Sequence, residues 1–243
     1  METAIVTGGA RRIGAEIARA LAADGWHVLI HCHRSAAAAE ALAAELGRAS
    51  VVQADLADAG AAETIVAALA GLPPPRLLVN NASRFVHDDI RDFTPEGWAA
   101  HLDVNLRAPA LLSRAFAARA GEGLIVNLLD AKLAAPNPDF FSYTISKIGL
   151  AGLTEITARA FAPGIRVNAI APSVTLVSGP QSRANFDRVH GLTALGRGVD
   201  VAEIVAALRF IIATPSLTGH TILLDGGQRF LSLPRDVQFL EPE

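Results

Sequence analysis

A tyrosine and a lysine four residues apart, Tyr143 and Lys147, have the makings of a proton-delivery pair if the stretch between them is helical. Positions i and i+4 share one face of a helix. A phenol has a pKa of about 10 and is a weak acid or base near neutrality. An ammonium beside it favours the phenolate and lowers that value. Such a pair exchanges a proton with a substrate while a cofactor exchanges a hydride. The same spacing also occurs on plain surface helices, so its meaning depends on the elements around it.

Those elements alternate. Short apolar runs at 3–7, 28–32, 51–54, 77–80, 124–129, 166–170 and 221–224 read as strands. Longer stretches at 13–23, 36–46, 61–70, 96–119, 142–161 and 201–212 have helical spacing. Strands that alternate with helices imply a parallel sheet covered on both faces. The expected fold is a single α/β domain over 1–243, a doubly wound parallel sheet of the Rossmann type. A chain of 243 residues with 51% apolar residues can bury one large core without dividing. The segment 173–200 is irregular and rich in Gly, Pro, Ser and Arg, which suits a lid over a substrate.

Composition excludes several partners. The net charge of −3 gives no electrostatic grip on nucleic acid or an anionic membrane. No apolar run reaches the length of a membrane span. The single cysteine, Cys32, forms no disulfide within the chain, and a reducing cytoplasm is expected. The N-terminal residues lack the pattern of a secretory leader. Metal-ligand spacing is absent.

The first strand-to-helix turn is Thr7-Gly8-Gly9-Ala10-Arg11-Arg12-Ile13-Gly14. Gly8 permits a tight turn, and Gly14 lets the helix approach the strand closely. The N–H groups at the start of that helix point at a phosphate. A glycine-rich stretch in this context is a nucleotide-binding turn rather than a plain one.

With Asn80-Asn81-Ala82 after the fourth strand, the Tyr143/Lys147 pair, Pro172 and Asp225-Gly226-Gly227, the chain resembles the short-chain dehydrogenase/reductase family over nearly its whole length. Two departures stand out: Arg12 replaces the middle glycine of the turn, and Ser83 follows Asn-Asn-Ala. Either is neutral drift, or Arg11 and Arg12 set cationic forks beside phosphates or an electron-rich ring. The resemblance implies a nicotinamide cofactor held by Gly8, Arg11, Arg12, Ile13, Gly14, Asn81, Ala82, Ser83, Tyr143, Lys147 and Pro172, with Asp55 and Leu56 at the adenine edge. It implies that Asn105 kinks a helix and completes a catalytic set with Tyr143 and Lys147, and that Lys147 holds the ribose.

The second strand ends in His31-Cys32-His33-Arg34-Ser35. An acid gripping a ribose 2′-hydroxyl is expected there in an NAD-preferring site. Arg34 and Ser35, with His33 beside them, suit a 2′-phosphate, so NADPH/NADP is the expected cofactor.

Where the family carries a catalytic serine this chain has Asp130. A carboxylate repels charge developing on a carbonyl oxygen and disfavours a phenolate at Tyr143. It suits a substrate with N–H donors, or a C=N bond whose nitrogen takes a proton. Arg12, the 31–35 stretch and Asp130 together resemble the pteridine reductase branch, including dihydromonapterin and dihydrofolate reductases. That resemblance implies a pterin-like substrate bound by Arg12, Ser83, Phe85, Asp130 and Tyr143, with Phe85 stacking on the ring or serving the core. The alternatives are an ordinary carbonyl reductase for a sugar, steroid or acyl thioester, and a non-catalytic nucleotide sensor, against which intact Asn105, Tyr143 and Lys147 argue. Helices apolar on more than one face suggest a homotetramer. The tail 228–243 carries six large apolar residues and is expected to cross to a neighbouring subunit.

Overall fold

Strands of a parallel sheet covered on both faces read as short, mostly apolar runs, and seven such runs pair here. A computed structural model describes residues 1–178 and 181–240. In it the runs form β1 (Thr3–Val6), β2 (His27–Cys32), β3 (Ala49–Gln53), β4 (Pro75–Asn80), β5 (Gly123–Leu128), β6 (Ile165–Pro172) and β7 (Thr221–Leu224). All pairings are parallel, in the order β3-β2-β1-β4-β5-β6-β7. The helices are α1 (Arg12–Ala23), α2 (Ala36–Leu46), α3 (Ala61–Ala67), α4 (Pro95–Leu102), α5 (Ala108–Ala120), α6 (Phe141–Phe161), α7 (Arg183–His190) and α8 (Val201–Ala213).

Successive strand residues face opposite sides, and two cores result. Ala4 and Val6 of β1 pack with Ile17 and Leu21 of α1 and with Ile204 and Leu208 of α8. Ile5, between them, packs with Ile65 of α3 and Leu112 and Phe116 of α5. Each large side chain removed from water there contributes about 1.5–3 kcal/mol. The domain is thus a Rossmann-type α/β sandwich. The sheet order reverses at β1, which lies between β2 and β4. Crossovers leave to opposite faces at such a point and open a crevice at the carboxyl ends of the strands.

The helical stretch expected over 96–119 is kinked at Asn105, as the resemblance implies. A π-helical turn, Asp103–Arg107, separates α4 from α5. Pro109 supplies the reason: it has no N–H to give the Asn105 carbonyl, and its ring crowds that carbonyl. The irregular segment 173–200 contains α7. Residues 179–180 of that segment, and 241–243 of the tail, lie outside the described residues. Among the described residues no helix is long and apolar enough to cross a membrane.

The described part of the tail contacts its own chain. The buried Asp139 carboxylate accepts from the Arg235 guanidinium at 2.7 and 2.8 Å and from the Asp236 N–H at 2.7 Å. Asn185 and Arg188 of α7 donate to the carbonyls of Gln238 and Leu240. A buried carboxylate needs such partners, and Arg235 and the Asp236 N–H supply them.

Candidate active site

The crevice holds a cavity of about 480 Å³ between the glycine turn, the ends of β4, β5 and β6, and the tail. Its nucleotide side begins at Thr7. The Thr7 hydroxyl accepts from the N–H groups of Asn81 and Ala82, both at 3.0 Å. The Asn81 amide donates back to Thr7 O at 2.8 Å. A Cβ on Gly14 would lie 2.2 Å from Gly8 O, so only glycine fits. No side chain caps α1, which leaves its first-turn N–H groups to an anion. These features fit a dinucleotide phosphate on observation of the fold itself.

Arg12 occupies a left-handed conformation, φ 56°, which a side chain adopts at a cost. Its guanidinium crosses the crevice and donates to Val177 O at 2.7 Å, tying the turn to the segment after β6. Arg11, Ile13, Ala82, Ser83 and Pro172 also border the cavity.

The expected 2′-phosphate residues stand outside this cavity, at the ends of β2 and β3. Arg34 is exposed, and Ser35 precedes α2 without capping it. His33 Nε2 lies 3.3 Å from Asp55 Oδ2. Asp55 also accepts from Ala57 N at 3.0 Å, and Leu56 is packed in the core. His31 has a role that sequence reasoning did not assign. Its Nδ1 accepts from Gly8 N at 3.2 Å, and its Nε2 faces Ala54 O at 3.1 Å. Burial lowers its pKa, so the neutral ring holds the glycine turn.

The chemical end is set by β5 and α6. Asp130 follows β5 and accepts twice, from Lys132 N at 2.8 Å and from the Tyr143 hydroxyl at 2.7 Å. Burial, and then the Asp130 carboxylate, push the Tyr143 pKa well above its ordinary value. The expectation that Lys147 lowers it is therefore corrected. The Lys147 ammonium donates to Leu128 O at 2.6 Å, and the carboxylate is the charge bonded to the phenol. Burial brings the Lys147 pKa down to about 8, against the opposing pull of Asp130.

Asn105 does not line the cavity. It is buried in the π turn and joins two walls. Its Oδ1 accepts from Arg84 N at 2.7 Å and Ser83 Oγ at 3.3 Å, and its Nδ2 donates to Ser146 Oγ at 2.9 Å. Ser146 in turn donates to Tyr143 O at 2.6 Å. Asn105 is thus a positioning residue for Ser83 and Tyr143.

Phe85 lines the cavity. Its ring stacks on Phe140 at 4.1 Å and meets Tyr143 edge-on at 4.7 Å. Beyond it Phe239 of the tail approaches Phe140 at 5.8 Å and His87 at 4.8 Å. Lys132, Arg235 and Asp236 complete the wall. The positions of Asp139 and Asp236 carried no local signal, because the contact that joins them spans 97 residues of chain.

The family model for short chain dehydrogenases matches residues 2–186. A FolM alternative dihydrofolate reductase 1 from Brucella suis, solved in complex with NADP, is 40% identical. The match covers 94% of this chain and 95% of that one, with a TM-score of 0.91. The corresponding protein of Brucella canis, also complexed with NADP, is 39% identical, with 94% of each chain covered and a TM-score of 0.88. A 3-oxoacyl-[acyl-carrier-protein] reductase of Synechocystis is 30% identical over 93% of this chain and 96% of its own length.

Proposed function

This chain belongs to the short-chain dehydrogenase family, and we propose that within it the protein is an NADPH-dependent reductase of a pterin-type substrate: dihydromonapterin, a biopterin or dihydrofolate. The observation that carries the reading is the Asp130–Tyr143 hydrogen bond. Supporting it are the likeness to two Brucella proteins named as alternative dihydrofolate reductases and solved with NADP, and the basic end of β2.

The nicotinamide supplies a hydride. The chain's residues manage everything else. The start of α1 with Gly8, Gly14, Arg11 and Arg12 receives the pyrophosphate, and Arg34 with Ser35 receives the 2′-phosphate. Lys147 presents an ammonium for the ribose. Tyr143 stays protonated at neutral pH because burial and Asp130 oppose the phenolate. Its hydroxyl and the Asp130 carboxyl hold one shared proton line, suited to a ring nitrogen that must gain a proton. Phe85 offers a flat ring a stacking partner.

An ordinary carbonyl reductase is the second reading, favoured by the Synechocystis relative. The carboxylate at 130 counts against it, since it opposes charge on a carbonyl oxygen. On the first reading 173–200 acts as the substrate lid, and the protein works as a cytoplasmic homotetramer. NADPH oxidation with dihydrobiopterin, dihydromonapterin and dihydrofolate, set beside a panel of ketones, tests it. Turnover of ketones alone would establish the second reading instead.

A further inference from the structure

The tail-side wall of the cavity carries a carboxylate, Asp236, with acceptor capacity left open. Asp236 reaches it because Asp139 clasps Arg235 and the Asp236 N–H. The Asp236 side chain is 15% exposed. One of its oxygens accepts from Gln238 N at 3.1 Å, and the other faces Lys132 Nζ at 3.7 Å, beyond hydrogen-bond length. A carboxylate has roughly four acceptor sites, so capacity remains open. Lys132 Nζ itself donates to Asp139 O. Asn137 Oδ1, also on the cavity, is buried without a partner among the described residues. Asp130, which also lines the cavity, already accepts from Tyr143.

Buried acceptors left empty cost free energy, and a ligand that fills them gains selectivity over one that does not. A carbonyl oxygen brought here meets lone pairs. A ring N–H meets partners. Resting on the pterin reading above, we propose that Asp236 is a specificity-determining residue: it accepts a hydrogen bond from an N–H of the substrate ring and so selects nitrogen heterocycles with several donors over simple ketones. A dihydropterin carries such donors on its amino group and on two ring nitrogens. Asp236 and Asp130 then both offer acceptors to the ring, with Lys132 balancing the charge of the tail carboxylate.

The test is Asp236→Asn in the full chain. Asparagine keeps an oxygen for Gln238 N and loses the charge. With saturating NADPH, KM for dihydrobiopterin is expected to rise about tenfold or more, the scale of one lost charge-assisted hydrogen bond, while KM for NADPH and the melting temperature hold. Binding of oxidised biopterin to the NADP-loaded protein, followed by fluorescence, is expected to weaken by the same factor and reads the effect even if turnover is lost. Unchanged KM and unchanged biopterin binding overturn the inference. An equal rise in KM for NADPH with a lowered melting temperature also overturns it, by showing a purely structural role. If the unaltered protein fails to reduce or bind pterins, the functional reading falls and takes this inference with it; intact wild-type turnover with an indifferent Asp236→Asn removes this inference alone.

Discussion

The Tyr143 hydroxyl donates to the Asp130 carboxylate at 2.7 Å, while Lys147, on the same face of α6, donates instead to Leu128 O at 2.6 Å. The tyrosine is thereby coupled to an acid rather than to its lysine. Burial and that carboxylate raise the phenol's pKa above its ordinary value, and on the pterin reading proton delivery runs through a carboxyl–phenol line. Asp130→Ser is expected to cut turnover of a dihydropterin by about 10²-fold, the lower range for a general acid–base group. The same change lets the Tyr143 pKa fall and admits carbonyl substrates. Steady-state kinetics on a dihydropterin and a ketone check this, and unchanged pterin turnover would remove the role given to Asp130.

Arg34 is exposed at the end of β2, with Ser35 beside it. Arg34→Asp is expected to weaken NADPH binding by about 1–3 kcal/mol and to leave NADH nearly untouched. Titration of each cofactor by tryptophan fluorescence measures both. Equal catalytic efficiency with NADH in the unaltered protein contradicts the cofactor assignment.

Lys147 carries its charge only below about pH 8, because burial lowers its pKa to that value. As pH rises through about 8 the ammonium is lost, and with it the cation that the proposed function assigns to the ribose. The rate profile for kcat/KM against pH is therefore expected to show an alkaline limb there. A flat profile across that range would show that Lys147 acts without its charge.

His31 holds the glycine turn as a neutral ring, its pKa lowered by burial. The unfolded chain takes up this proton first on acidification, near the ordinary histidine value of about 6.5. Stability from this group is thus fully present above that pH and lost as pH falls below it. His31→Leu leaves Gly8 N–H and Ala54 O without their ring partners and is expected to cost about 1–3 kcal/mol. Melting curves across mildly acid to neutral pH should lose slope in this variant, and KM for NADPH should rise with kcat retained.

The tail residues 230–240 close the cavity of their own chain through Asp139 and α7. Truncation after Arg229 is expected to raise KM for the pterin without changing the oligomeric state. Sedimentation beside kinetics separates this from a tail exchanged between subunits, which truncation would disassemble.

Local rules made much of this protein legible in its residues. A run of β-branched and leucine residues buried on both faces is a strand wherever it pairs, and the expected strands stand within a few residues of β1–β7. The i, i+4 relation of Tyr143 and Lys147 is a property of any helix. Gly8 and Gly14 are required by a turn whose geometry spans seven residues. Asp130 stood out by its type alone, because a carboxyl in place of a hydroxyl changes the charge that a substrate must meet.

Tertiary structure decided what those residues do to one another. Which base or acid controls Tyr143 depends on the place where β5 ends beside α6, and packing put Asp130 on the phenol and Leu128 O on the lysine. His31 meets Gly8 only because β2 lies beside β1, and Asp139 meets Arg235 only because the tail folds back over the loop after β5. Periodicity reports a residue's face and its local element. It does not report partners joined across the chain, since those are chosen by the packing of whole elements and by the need to satisfy each buried charge.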